Sequence, residues 1–195
     1  MVVSYDEDMS DLSPTAMRTR ESIITASIAL LSIRPEAPMT DVADAAGVSR
    51  STLHRYFPDR GSLIRELNAF AAAHWQRTIS GADLDSGTGL EAFRRLCLGL
   101  MDSLDVLKWW MSRPEVWEGI EEFHGPTENE DGKIIGAIAR GQGDGTIDTD
   151  LRPEWLYNVL WSVLYAAVFI SPDSGLSGFE AREQGIRTLM KLASV

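Results

Sequence analysis

The stretch Thr40-Asp-Val-Ala-Asp-Ala-Ala-Gly-Val-Ser-Arg-Ser-Thr-Leu-His-Arg-Tyr-Phe57 decides the fold. Val42, Ala43 and Ala46 share one face of a short helix over residues 40–46. Gly47 closes that helix, because it reaches the left-handed conformation that side chains resist. Val48 is apolar inside the turn, as a plug between two helices would be. Ser49 is an N-cap for a second helix over residues 50–57, since its hydroxyl can accept from a first-turn amide. Leu53 and Phe57, four apart, aim that helix at a core. Ala43 and Ala46 are small enough to let the helices cross closely. Short helix, glycine turn and second helix in this order predict a helix-turn-helix.

Arg50, Ser51, Thr52, His54 and Arg55 remain on faces that can meet a groove. Arginine can bond guanine through both arms, hydroxyls can bond bases or phosphates, and the threonine methyl can touch thymine. The helix N-terminus is itself an anion site. The same residues would also suit a stable helical hairpin whose polar face is merely solvated.

Outward from this motif the chain reads as helix throughout. Ile23, Ile24, Ser27, Leu30 and Leu31 repeat at helical spacing over residues 14–33, and Pro35 and Pro38 end that helix. Pro58-Asp59 opens a longer helix to about residue 79. The Gly/Asp/Ser-rich segment 81–89 is the expected domain boundary. Beyond it Leu90, Phe93, Cys97, Leu100, Leu104 and Leu107 form one apolar helical stripe. Residues 109–122 read as an aromatic, acidic helix around Pro114, and residues 133–140, 153–170 and 179–192 as three more helices. No segment alternates with period two. The expectation is an all-α chain of about nine helices: an acidic, disordered tail over residues 1–13, a head over residues 14–80 and a helical body over residues 81–195.

Charge is distributed unevenly. The net charge is −11, yet residues 15–80 carry eight Arg against six acids, while residues 81–195 carry ten basic residues against nineteen acids. Phosphate contact needs only a local cluster of donors, so the global sign does not veto it. The acidic body should repel DNA. The single cysteine, Cys97, excludes an internal disulfide. The first residues lack the basic and apolar regions of an export signal, and the longest apolar run, 155–170, is interrupted by Asn158 and Ser162 and is shorter than the ~20 residues a membrane span takes. The expected location is the cytoplasm, with no membrane partner.

The segment Ala45-Ala-Gly-Val-Ser-Arg-Ser-Thr-Leu-His-Arg-Tyr-Phe-Pro-Asp-Arg-Gly-Ser-Leu63 resembles the TetR family of transcriptional regulators, over about residues 18–68. That resemblance implies a three-helix reading head with its third helix in the major groove of double-stranded DNA. By carry-over, Ser49, Arg50, Ser51, Thr52 and Arg55 contact bases or backbone, and Thr40, His54, Tyr56 and Arg60 grip phosphates. The sequence departs from the family where Ser51 replaces a common glycine, His54 a common tyrosine and Tyr56 a common histidine. Pro38 stands where a hydroxyl usually opens the second helix.

The body supplies the remaining expectations. A helix-turn-helix reads few base pairs, so such proteins dimerise on palindromic sites. Residues 153–170 are apolar nearly all round, more than one partner helix can bury. With residues 179–192 they give the expected homodimer interface, on Leu156, Leu160, Val163, Ala167, Phe179, Ile186 and Leu189, and the resemblance implies a four-helix interface there. The alternative is that both helices are interior to a monomer. Phe93, Cys97, Met101, Trp109, Trp110, Trp117, Phe123, Trp161 and Tyr165 are candidates to line a pocket for a small apolar or aromatic effector. Glu118, Glu121 and Glu122 would favour a cationic one. Each aromatic has a plain alternative role in the core, and that a pocket exists rests on the resemblance.

Other signals are discounted. Gly141-Gln-Gly-Asp-Gly145 is not a dinucleotide fingerprint, and Asp144, Asp148 and Asp150 lack the glycine of a calcium loop. No nucleophile–base pair or metal cluster is visible, so no cofactor and no metal is expected; His124 beside Glu121 reads as surface. The leading expectation is a ligand-released repressor. A small-molecule-binding helical enzyme and a protein-interaction adaptor are the alternatives.

Overall fold

Caps and glycines set where the helices of this protein begin and end. The computed structural model describes residues 13–112, 128–170 and 172–195. Ser13 caps α1 (Pro14–Leu31) by accepting from the Ala16 amide at 3.3 Å, and Pro14 occupies the first turn, where its missing donor costs nothing. α2 (Met39–Ala45), α3 (Arg50–Tyr56) and α4 (Arg60–Gly81) follow. Thr88 and Ser177 each form a reciprocal capping box, with Glu91 at α5 (Gly89–Met101) and Glu180 at the last helix, α9 (Gly178–Ala193). Between these lie α6 (Leu104–Met111), α7 (Glu128–Gly143), α8 (Pro153–Val168) and a 3₁₀ turn at Pro172–Ser174. The all-α expectation holds: among the described residues there are nine α-helices, and extended pairing is limited to one bridge, Ile147 to Ser194.

The chain divides into two compact units, one ending at His74 and one beginning at Trp75. The division falls inside α4, ahead of the glycine-rich segment where the sequence suggests it. Trp75 and Ile79 are buried, and Trp75 Nε1 donates to Glu130 Oε2 at 3.0 Å, which assigns the last turns of α4 to the second unit.

In the first unit, Ile23, Ile24, Ile28 and Leu31 of α1 are buried with Val42, Ala43, Leu53, Phe57, Leu63, Leu67 and Ala71. Each large apolar side chain among them contributes about 1.5–3 kcal/mol by leaving water. Arg20 is buried too, and pairs with Glu66 of α4.

In the second unit α5 packs on α7 and α9, and α8 on α6, α7 and α9. Gly89 and Gly141 mark the crossing of α5 and α7: a Cβ on Gly89 would collide with the Gly141 backbone. The stripe from Leu90 to Leu107 is not one helix. It breaks at Asp102 and Ser103, where Ser103 Oγ donates to the Gly99 carbonyl at 2.7 Å and Asp102 accepts from Arg182 Nε at 2.8 Å. Short polar side chains compete with the helical ladder in this way. α6 ends at Met111 with Ser112 as its C-cap; residues 113–122 of the aromatic, acidic segment expected to be helical lie outside the described residues, as does the acidic tail before Ser13.

Candidate nucleic-acid interface

The turn between α2 and α3 has the geometry its residues predict. Gly47 sits at φ +66°, and the Val48 amide donates back to the Ala43 carbonyl at 3.0 Å. Ser49 Oγ accepts from the Thr52 amide at 3.1 Å and lies 2.9 Å from both Ser51 Oγ and Thr52 Oγ1. Leu53 and Phe57 are each 1% exposed, so α3 is anchored along its inner side.

Its other sides face outward. Ser49, Arg50, Ser51, His54 and Arg55 are exposed, and Thr52 and Tyr56 half-buried. Arg50 has no hydrogen-bonding or ionic partner among the described residues, so its five donors are available. The Arg55 guanidinium lies 5.2 Å from the Tyr56 ring centroid, a cation–π contact that restricts it. His54 Nδ1 is 3.1 Å from the Pro58 carbonyl; with that nitrogen donating, Nε2 points elsewhere. From Ser49 to Pro58 there is no Asp or Glu. Asp59, just beyond, serves α4 instead. It caps that helix by accepting from the Ser62 amide at 2.7 Å, which holds its carboxyl below the usual range.

Two of the residues carried over as phosphate grips are differently employed. Arg60 donates through Nη1 to the Ala37 carbonyl at 2.6 Å and through Nη2 to the Pro35 carbonyl. Thr40 is half-buried beside Asp41, with its Oγ1 3.3 Å from Asp41 Oδ1. Asp41 itself pairs with Arg34.

The structure sorts the residues expected to line a pocket. Phe93, Cys97 and Met101 of α5 are buried, and burial pushes the Cys97 thiol far above its usual range. Met101 lies against α9, where a Cβ on Gly185 would run into its Cε. Trp109 and Trp110 are buried on α6. Trp75, which the sequence places in the head, draws the others together: its ring centroid is 5.8 Å from that of Trp110 and 5.5 Å from that of Trp161. Tyr157 meets Trp161 edge-on at 6.2 Å and donates to Asp131 Oδ1 at 2.6 Å. Glu130, 5% exposed, also accepts from Gln76. A signal for Trp75 is present in the sequence, because Leu63, Leu67, Ala71, Trp75 and Ile79 form an unbroken i, i+4 row, all buried. Glu130 and Asp131 carry none. Trp117 and Phe123 lie outside the described residues, with Glu118, Glu121, Glu122 and His124.

Tyr165 is 50% exposed and its ring pairs with that of Phe169 at 4.6 Å. Conversely, Leu156, Leu160, Ala167 and Leu189 are buried within the chain's own core. The stripe that faces neighbouring helices of the same protomer cannot also face a partner. Of the expected interface residues, Val163 and Ile186 are half-buried and Phe179 is 70% exposed; Trp155 and Leu192 on the same two helices are exposed as well. No group of His, Cys, Asp or Glu able to hold a metal occurs among the described residues. No helix there is long and apolar enough to cross a membrane.

Residues 23–67 match the family described as bacterial regulatory proteins, tetR family. The chain is 29% identical over 169 residues to the HTH-type transcriptional repressor LfrR of Mycolicibacterium smegmatis, covering 87% of this chain and 82% of that one. The crystal structure of LfrR from Mycobacterium smegmatis superposes with a TM-score of 0.69 at 25% identity, over 92% of this chain and 98% of that one. The same regulator has been solved in complex with proflavine, with a TM-score of 0.60 at 26% identity, over 91% and 97% of the two chains. A shorter match, 36% identity over 76 residues (39% of this chain and 41% of that one), is to the HTH-type transcriptional regulator NfxB of Pseudomonas aeruginosa. These relatives are regulators rather than enzymes. A helix-turn-helix built as its residues dictate, with the tetR family match over residues 23–67 and a chain that aligns with a repressor along most of its length, makes this protein a DNA-binding transcriptional regulator similar to those of the TetR family.

Proposed function

We propose that this chain is a homodimeric repressor that reads a palindromic operator with its two α3 helices and is released by a flat aromatic effector bound in the helical body. One observation carries the reading: α3 is anchored by Leu53 and Phe57 and presents an acid-free outer surface on which Arg50 is unengaged among the described residues. Inserted in a major groove, Arg50 can bond guanine O6 and N7. Ser51, Thr52 and Arg55 lie close enough along the helix to reach neighbouring bases or phosphates. The acidic body disfavours DNA, which confines the contact to the heads. Such a protein works in the cytoplasm, where chromosomal DNA is.

The effector class follows from the tryptophans. Stacked indoles beside the carboxylates of Glu130 and Asp131 suit a planar aromatic cation, through π contact and charge. The proflavine complex of LfrR supports that class for a relative. Dimerisation is assigned to the exposed apolar side chains Trp155, Tyr165, Phe169, Phe179 and Leu192 of α8, its end and α9.

Footprinting on DNA flanking the gene tests the proposal. The expected result is protection of two inverted half-sites separated by about one helical turn or a multiple of it. Proflavine, added as a probe, should quench tryptophan emission and release the protected DNA. Absence of protection at moderate salt would overturn the DNA reading, and quenching without release would overturn the effector's role.

A further inference from the structure

We infer that Arg60 is a positioning residue of the reading head, which sets the placement of α2 and hence α3, and is not the phosphate grip that its place at the start of α4 implies by resemblance. The inference rests on the reading that α3 docks on DNA. Its basis is where the guanidinium goes. Nη1 donates to the Ala37 carbonyl at 2.6 Å and Nη2 to that of Pro35. Both carbonyls belong to Arg34-Pro-Glu-Ala-Pro38, a segment with two residues that cannot donate. Inside it the Ala37 amide donates to the Arg34 carbonyl at 3.0 Å. Pro38 then starts α2, its carbonyl accepting from the Asp41 and Val42 amides at 2.9 and 3.2 Å.

Arg60 thus closes a ring. From Ala37 the chain runs through α2, the Gly47 turn and α3, and returns at Arg60 to the carbonyl it left. Asp59, beside Arg60, caps α4 and fixes the arginine's backbone. The other anchors of this frame are Arg20 with Glu66, between α1 and α4, and Arg34 with Asp41, between the loop and α2. Arg20 also lies 6.0 Å from the ring centroid of Phe57, the residue that ends α3.

Arginine suits this role in a way lysine does not. A planar fork reaches two carbonyls at once, whereas an ammonium is a point charge that serves a phosphate equally well. Arg60→Lys and Arg60→Gln therefore separate the roles. For a clamp, both variants, folded by circular dichroism, weaken operator binding about tenfold. The salt dependence of that affinity and the affinity for random DNA stay as in the wild type. Hydrogen exchange of α2 amides in the free protein quickens in both. For a phosphate grip, Arg60→Lys binds like the wild type, while Arg60→Gln has a log–log salt slope shallower by about 1 per head. That pattern overturns the inference. So does equal weakening on operator and random DNA, which marks a loss of fold alone, and so does unchanged α2 exchange, whatever happens on DNA. Should the wild type itself select no sequence, the functional reading fails, and the exchange measurement still decides the clamp.

Discussion

Arg50, Arg60 and Arg95 show three arginines on helices put to opposite uses. Arg95 donates to the carbonyls of Ala82, Asp83 and Ser86 at 2.8, 2.7 and 2.6 Å and folds the segment before α5 onto that helix. Arg60 does the same for the segment before α2. Arg50 alone of the three is left to the surroundings. Replacing Arg50 with alanine should lower operator affinity by about 1–3 kcal/mol in a gel-shift titration if it reads a base. The thermal transition should not move, since no described residue loses a bond. Nothing local in the chain tells these arginines apart: which carbonyl a fork meets depends on a fold in which Pro35 and Arg60 come together across 25 positions. Gly47, Ser49, Leu53 and Phe57 are legible because their reasons are local, a positive φ, a cap and two residues one turn apart.

At the scale of elements the helices follow their signals, and the misses have physical causes. Asp102 and Ser103 break an apolar stripe that periodicity alone joins, because Ser103 bonds back to Gly99 and Asp102 is held by Arg182. The contact of α5 with α7 needs glycine, and two substitutions test this. Gly89→Ala should destabilise by about 1–3 kcal/mol or more, as its Cβ runs into the α7 backbone. Gly136→Ala on α7, with nothing near its Cβ, should instead stabilise by about 0.5–1 kcal/mol. Urea unfolding of both reads the difference. The caps make stability pH-dependent. Bonds from Thr88 and Ser177 hold the carboxyls of Glu91 and Glu180 below their usual range. Folded values below the unfolded ones mean stabilisation that is present above the ordinary carboxylate value, about 4, and lost as pH falls through the lowered values. Urea midpoints measured downward from that point should fall, and less steeply in Glu180→Gln.

For the whole molecule, hydropathy locates the head and the two helices of the expected interface, but not which of their sides is free. A helix that is apolar nearly all round carries no sign of which stripe its own protomer consumes, and tertiary contact alone assigns Leu156, Leu160 and Leu164 to the core. The exposed set predicts the partner surface. Phe179→Ser with Tyr165→Ser should weaken self-association in sedimentation equilibrium by about 2 kcal/mol or more while leaving helicity intact. Operator binding should fall with it, since a single head holds one half-site. Charge adds to this arrangement, for a chain of net charge −11 can approach DNA productively only by its least acidic part. Selection from a random duplex library, carried out in parallel with the wild type and Arg50→Ala, tests that most directly. The expected outcome is an inverted repeat enriched by the wild type, with one base-pair position in each half losing its preference in the variant. Enrichment of no sequence, or of the same sequence with the same affinity by both proteins, would contradict the assignment of α3 as the reading helix.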